Sequence, residues 1–172
     1  MKKIILVLAV FLVFGGIISA EGTEGPVRLD FSSGLYYDAF PFQTTDGLQI
    51  LEAIFNLRFG GHLGLGFNLS ENMRLGVEAG VLAFSWETDS YYYTLLDLPF
   101  RGYFDLHAGE DLSLRAFGGG IVIMAIGNGI ASVIVPEAGA RVSLGGFYIE
   151  AAYVFSNNPI QRFGLGFTGS LF

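Results

Sequence analysis

The chain contains no cysteine, so a disulfide scaffold, a thiol nucleophile and a cysteine-attached lipid anchor are all excluded. It is almost as poor in lysine. Lys2 and Lys3 are its only two, against seven arginines. Soluble surfaces usually carry lysine, because a hydrated ammonium on a flexible stem suits water. A chain body that holds arginine alone points to guanidinium groups paired in confined places, where their planar fork matters. Histidine is scarce too, with two in the chain, and beyond the opening segment there is no apolar run long enough for a membrane helix.

That opening segment has a recognisable order. The basic pair Lys2-Lys3 precedes the apolar run 4–14, and Ile18-Ser19-Ala20 precedes the polar Glu21-Gly22-Thr23. The order predicts a secretory signal peptide over 1–20, cleaved after Ala20, since the run is short for a bilayer span. Residues 21–26 then form a short periplasmic tail, and 27–172 a single domain with no further boundary. Loss of the leader removes both lysines and leaves seven arginines against sixteen acids, a net charge of −9. So acidic a chain is not expected to bind nucleic acid.

Glycine and alternating apolar residues dominate the remainder. Beyond residue 26 the hydrophobic period is two, which predicts strands. Eight segments show it: 27–37, 51–69, 73–86, 93–106, 112–124, 131–144, 147–155 and 161–171. Short turns at 70–72, 107–111 and 145–146 alternate with looser connections at 38–50, 87–92, 125–130 and 157–160. Short turns on one side and longer loops on the other are the habit of membrane barrels. The expected fold is all-β: an eight-stranded antiparallel up-and-down transmembrane β-barrel, with both ends of the chain on the short-turn side.

Alternation alone does not say which face is inside; the polar face does. It holds all seven arginines (Arg28, Arg58, Arg74, Arg101, Arg115, Arg141, Arg162) and seven acids (Asp30, Glu52, Glu78, Asp97, Asp105, Glu137, Glu150). Equal numbers of the two signs suit a self-neutralised interior, which a water-exposed face would not need. A turn at Gly145-Gly146 places Arg141 opposite Glu150. One register of the third and fourth strands places Glu78 opposite Arg101 and Arg74 opposite Asp105. Such cross-strand pairs are favourable, and confinement penalises leaving either partner alone. The expected interior ion-pair network is therefore Arg74, Glu78, Arg101, Asp105, Arg115, Glu137, Arg141 and Glu150. Glycines on the same face make room for long arginines in a narrow barrel. Leu, Phe, Val and Met face lipid, and Trp86 with Tyr91-Tyr92-Tyr93 stand where an aromatic girdle would be.

The leader, the eight strands, the alternating connection lengths and the terminal Phe172 together resemble the small bacterial outer-membrane barrels of the OmpA-domain, OmpX and OmpW type. The resemblance covers 21–172. It implies residence in an outer membrane and insertion by the assembly machinery that reads a last strand ending in an aromatic residue. Here Phe163, Leu165, Phe167 and Leu171 are out of phase with Phe172, a departure from that pattern. The motifs define an architecture, and fold-level analogy does not establish function.

Catalytic groups are sparse. His107 reads as a solvated turn residue and His62 as a hydrogen-bonded interior one. No Ser/His/Asp set converges, no metal-ligand cluster appears, and no cofactor is expected. Gly-Leu-Gly at 64–66 and 164–166 lacks the helix and lysine of a phosphate loop. Fourteen inward charges would plug an eight-stranded lumen more readily than line a pore. Sorted by height, the expected interior is a polar plug, including Arg58, below an apolar upper chamber of Ile54, Leu82, Phe84, Trp86, Tyr93, Ile121, Ile123, Val133 and Val135. In it, Glu52 and Arg162 would be the polar anchors for a small hydrophobic ligand. The leading expectation is a non-enzymatic, monomeric outer-membrane barrel with a structural or surface-interaction role. Binding or porin-like passage of small apolar molecules is the alternative.

Overall fold

Alternation of inward and outward side chains, sustained over eight segments, closes the chain on itself. A computed structural model describes residues 27–39, 57–87, 92–109, 111–127, 129–157 and 159–170, with the side chains of 86, 87, 92 and 93 left aside. The strands are β1 (Val27–Ala39), β2 (Leu57–Ser70), β3 (Met73–Glu87), β4 (Tyr92–His107), β5 (Leu112–Ile126), β6 (Ile130–Leu144), β7 (Phe147–Val154) and β8 (Ile160–Ser170). Each pairs antiparallel with the next, and β8 pairs with β1, giving a closed barrel with no free edge. The expected signal peptide over 1–20, the expected tail at 21–26, Glu52, Ile54 and Phe172 lie outside the described residues.

Following the ladders once round the wall fixes its slant. The path from Val27 runs through Phe67, Leu75, Phe104, Ala116, Ala140, Ala151 and Phe163, and rejoins β1 at Tyr37, ten residues from its start. A stagger of this size tilts eight strands by roughly 40° and leaves an interior that side chains can fill.

Along β7 exposed and buried residues alternate without exception, and β8 does the same from Ile160 to Phe167. The outward set is apolar: Leu63, Leu65, Val77, Phe100, Ile134, Ile149, Phe163 and Leu165 are all exposed. Inside are arginines, carboxylates, aromatic rings and glycines. Charge within and hydrocarbon without is the reverse of a soluble globule. It is what a bilayer demands, because only a closed ladder satisfies every backbone group there.

The short-turn end is tightly built. Gly145 and Gly146 both have positive φ (55° and 87°), the conformation of a two-residue hairpin turn, and Leu144 faces Phe147 across it. The neighbouring turns are stitched together by backbone bonds: His107 N–H donates to Asn72 O, Gly145 N–H to Asp111 O and Thr168 N–H to Gly146 O. Both β1 and β8 have their chain ends at this rim.

The β3–β4 ladder has one interruption. Pairing runs from Met73↔Leu106 to Ala79↔Phe100 and resumes at Leu82↔Asp97. The gap lies opposite Leu98 and the fully buried Pro99, and proline has no N–H to give a ladder.

Candidate functional site

Five inward aromatic rings stand opposite glycines on a neighbouring strand: Tyr36↔Gly164, His62↔Gly80, Tyr103↔Gly76, Phe117↔Gly139 and Tyr148↔Gly166. A Cβ at Gly164 would lie 2.6 Å from the Tyr36 ring. Glycine there provides room for the ring, and the rings in turn form platforms for charge. The guanidinium carbon of Arg115 lies 3.6 Å from the Tyr103 centroid, that of Arg101 4.2 Å from Phe117 and that of Arg141 4.7 Å from Tyr148.

The charges form two groups, each balanced. The lower group, toward the short turns, has five arginines (Arg28, Arg74, Arg101, Arg115, Arg141) and five carboxylates (Asp30, Glu78, Asp105, Glu137, Glu150). Arg101 grips Glu137 with two parallel bonds (Nε to Oε1 2.8 Å, Nη2 to Oε2 3.1 Å) and donates through Nη1 to Glu150 at 3.0 Å. Arg115 holds Asp105 in the same forked way (2.7 and 2.9 Å), and Arg141 donates from Nε and Nη2 to Glu150 Oε2 (2.8 and 2.6 Å). Glu78 is the hub, accepting from Arg115 (2.6 Å), Arg101 (3.2 Å) and Arg141 (3.4 Å). At the rim Arg74 reaches Asp30 (3.2 Å) and Asn68 (2.9 Å), and Arg28 donates to Ser170. Forked, charge-assisted bonds are the strong class, and this many of them offset the desolvation of ten charges.

The upper group contains Asp38, Arg58, Asp97 and Arg162. Arg162 forks onto Asp38 (2.6 and 2.8 Å) and also donates to Asp97 at 2.6 Å. Arg58 lies 3.8 Å from Asp38 and 3.7 Å from Asp97. All four side chains are buried. Between the two groups sits a hydroxyl cluster. His62 Nδ1 is 3.2 Å from Tyr36 Oη and 3.4 Å from Ser32 Oγ, and the Tyr36 and Tyr148 hydroxyls are 2.6 Å apart.

Asp38 and Arg58 stand where sequence reading did not put them. Asp38, expected in the connection 38–50, is the penultimate residue of β1 and continues the inward parity of Asp30, Ser32 and Tyr36. That parity was the available signal. Arg58 is expected toward the short turns, because alternation extends back to residue 51. It is in fact the second residue of β2, at the loop end.

The upper interior is accordingly not uniformly apolar, which corrects the picture of a single apolar chamber. Its β8–β1–β2 side is charged, with Asp97 of β4 completing the group. The β5–β8 side is apolar, with Ile121, Val135, Val154 and Ile160 in one packed cluster and Ile123 against it. Leu82 instead packs with Tyr36 and Tyr148, and Phe84 is half-buried. Val133 is 51% exposed, at the rim. Ile54 and the side chains of Trp86 and Tyr93 lie outside the described residues. Among the described residues no group of three or more metal-ligating side chains gathers in one place.

An apolar wall, a closed antiparallel ladder and a charge-filled lumen define a transmembrane β-barrel of the small outer-membrane type. Among solved structures the chain superposes on Ail, the attachment invasion locus protein of Yersinia pestis. Identity is 14% and the TM-score 0.54, with 86% of this chain and 99% of that chain covered. A second structure of Ail, in complex with the heparin analogue sucrose octasulfate, matches at 13% identity and a TM-score of 0.56, with the same coverage. Neisserial surface protein A matches at 9% identity and a TM-score of 0.49, covering 84% of this chain and 95% of that one. At 13–14% identity the two Ail matches show the fold alone. No protein-family model matches the sequence, and neither does any curated protein.

Proposed function

We propose that the protein is a non-enzymatic, monomeric barrel of a bacterial outer membrane, exported by the leader at 1–20 and inserted by the barrel-assembly machinery. Its role is structural or surface-interacting, and it needs neither cofactor nor nucleic acid. The observation that carries this reading is the lower charge group. Arg101, Arg115 and Arg141 converge on Glu78 across the lumen, and ten mutually neutralised charges fill the space where a channel would run. Such a lumen suits a sealed pillar rather than a conduit. Contact with other surfaces then falls to the connections at the other end, chiefly 40–49 and 88–91. The Yersinia pestis barrel bears the name of an attachment protein, and a surface role of that general kind is the one proposed here.

The test is twofold. Unboiled protein from the outer-membrane fraction should migrate differently from boiled protein, and reconstituted barrels should pass no steady ionic current. Identical migration would count against a stable barrel, and a sustained conductance would overturn the sealed lumen. Loss of cell-surface binding on deletion of 40–49 would support the interaction role.

A second reading, capture of a small apolar molecule at the loop end, is favoured by one observation, the contiguous Ile121–Val135–Val154–Ile160 patch. A lipophilic fluorescent probe retained by the barrel and released by Trp86→Arg would favour it over the first.

A further inference from the structure

The short-turn end of the barrel opens into a polar cavity of about 160 Å³, several times the roughly 30 Å³ that one water takes up in the liquid. One row of its lining differs from the rest of the lower lumen. His107, Ser113 and Ser143 stand side by side on β4, β5 and β6, directly paired across two ladders. Ser143 is only 8% exposed. Neither serine hydroxyl has a hydrogen-bond partner among the described residues, and the ring Nε2 of His107 is buried in the same condition. Burying polar groups without partners is costly, so three in a row at one cavity point to a ligand. The stitched turns pin this rim, so the row is formed in advance.

Arg28 and Arg74 reach the same cavity from β1 and β3. Arg28 donates to Ser170 through Nε, and Arg74 to Asn68 and Asp30 through Nε and Nη1. Both Nη groups of Arg28 and Nη2 of Arg74 are left without a hydrogen-bond partner among the described residues. The inward carboxylates of the lining are already engaged. Asp30 accepts from Arg74, Tyr103 and Arg115, and Asp105 sits in the fork of Arg115. Asp111 stands exposed at the turn. Guanidinium donors from one side, with hydroxyl and imidazole groups on another, match a phosphate group, whose several strong acceptor oxygens point in different directions. We propose that this mouth binds a soluble phosphate, inorganic or a monoester, held by Arg28, Arg74, His107, Ser113 and Ser143. A lipid headgroup offers the same oxygens, but these five side chains share the inward parity of the lumen, so the site opens to water along the barrel axis. The inference goes beyond the structural role and requires only the barrel itself.

The test uses protein taken from the outer-membrane fraction into maltoside micelles, which carry no phosphate. Equilibrium dialysis against inorganic phosphate, in excess chloride, should show saturable binding of one phosphate per barrel. Ser113→Ala/Ser143→Ala should weaken it on the order of tenfold, as two neutral hydrogen bonds are lost. Arg28→Gln should weaken it at least as much, since a charge-assisted bond is the stronger kind. Asp111→Asn should tighten it, by removing a negative charge at the entrance. Boiled and unboiled samples of each variant, run side by side, separate a lost site from a lost barrel. An intact barrel that takes up no phosphate, or an affinity that ignores the two serines, overturns the proposal. Displacement of the phosphate by a short-chain phosphatidylglycerol overturns its assignment to a soluble ligand.

Discussion

Asp38 stands opposite Arg162 on the seam where the last strand meets the first, and the guanidinium grips the carboxylate with bonds of 2.6 and 2.8 Å. The pair ties β1 to β8, the two strands most distant in sequence, at the loop end of their ladder. Arg162→Leu would leave Asp38 and Asp97 buried with only Arg58 to balance them. The expected loss is roughly 3–5 kcal/mol, the usual result of stripping one partner from a buried pair. Urea unfolding in detergent, followed by gel mobility, measures it. The double variant Asp38→Leu/Arg162→Leu should recover most of the loss, since Asp97 and Arg58 then neutralise each other.

Glu78 is shared by three arginines on three strands, accepting a bond from each. Its removal uncovers three positive charges at once. Glu78→Ala is expected to cost roughly 3–5 kcal/mol, whereas Asp111→Ala, at an exposed turn, should stay within about 0.5 kcal/mol. The contrast between the two variants in the same unfolding assay is the measurement. Equal effects would mean that the network contributes little beyond its net charge.

Two glycines on adjoining strands make a paired test of the ring-over-glycine packing. A Cβ at Gly76 would strike the Tyr103 ring and Leu65 O, while one at Gly102 would meet nothing closer than Gly118 O at 3.9 Å. Gly76→Ala should therefore destabilise by about 1–3 kcal/mol through overpacking, and Gly102→Ala should be near neutral. Thermal unfolding of the two variants side by side distinguishes a requirement for space from a general preference for glycine.

The strands, their order and the inward face were legible because a period of two is a direct imprint of the pleat. Glu78↔Arg101, Arg74↔Asp105 and Arg141↔Glu150 were legible because opposite charges on facing strands fix a register. Strand ends were less legible, since alternation fades or overruns there. Asp38 looked like the start of a loop once the apolar residues stopped at Tyr37, and Arg58 looked mid-strand because apolar residues reach back to 51. Both errors hid the upper charge group, whose four members come from four strands and meet only when the barrel closes. The apolar half of the upper interior, Ile121 with Val135, was readable from parity. The charged half facing it depended on tertiary closure that no local pattern encodes.

The sidedness of the wall carries the remaining prediction. Leu165 lies near the middle of β8, points outward and is 61% exposed. Leu69, also outward, lies at the short-turn end of β2 beside the rim. In a bilayer an arginine at mid-depth costs about 2–4 kcal/mol, and one near the interface about 0–1 kcal/mol, because the guanidinium can reach water. Leu165→Arg should therefore destabilise the barrel in lipid vesicles far more than Leu69→Arg. On a wall facing water both substitutions would be benign, since each replaces an exposed leucine by a soluble side chain. Unfolding of the two variants in the same vesicles decides between these cases: a depth-dependent penalty places hydrocarbon against Leu165, and matching stabilities would place water there.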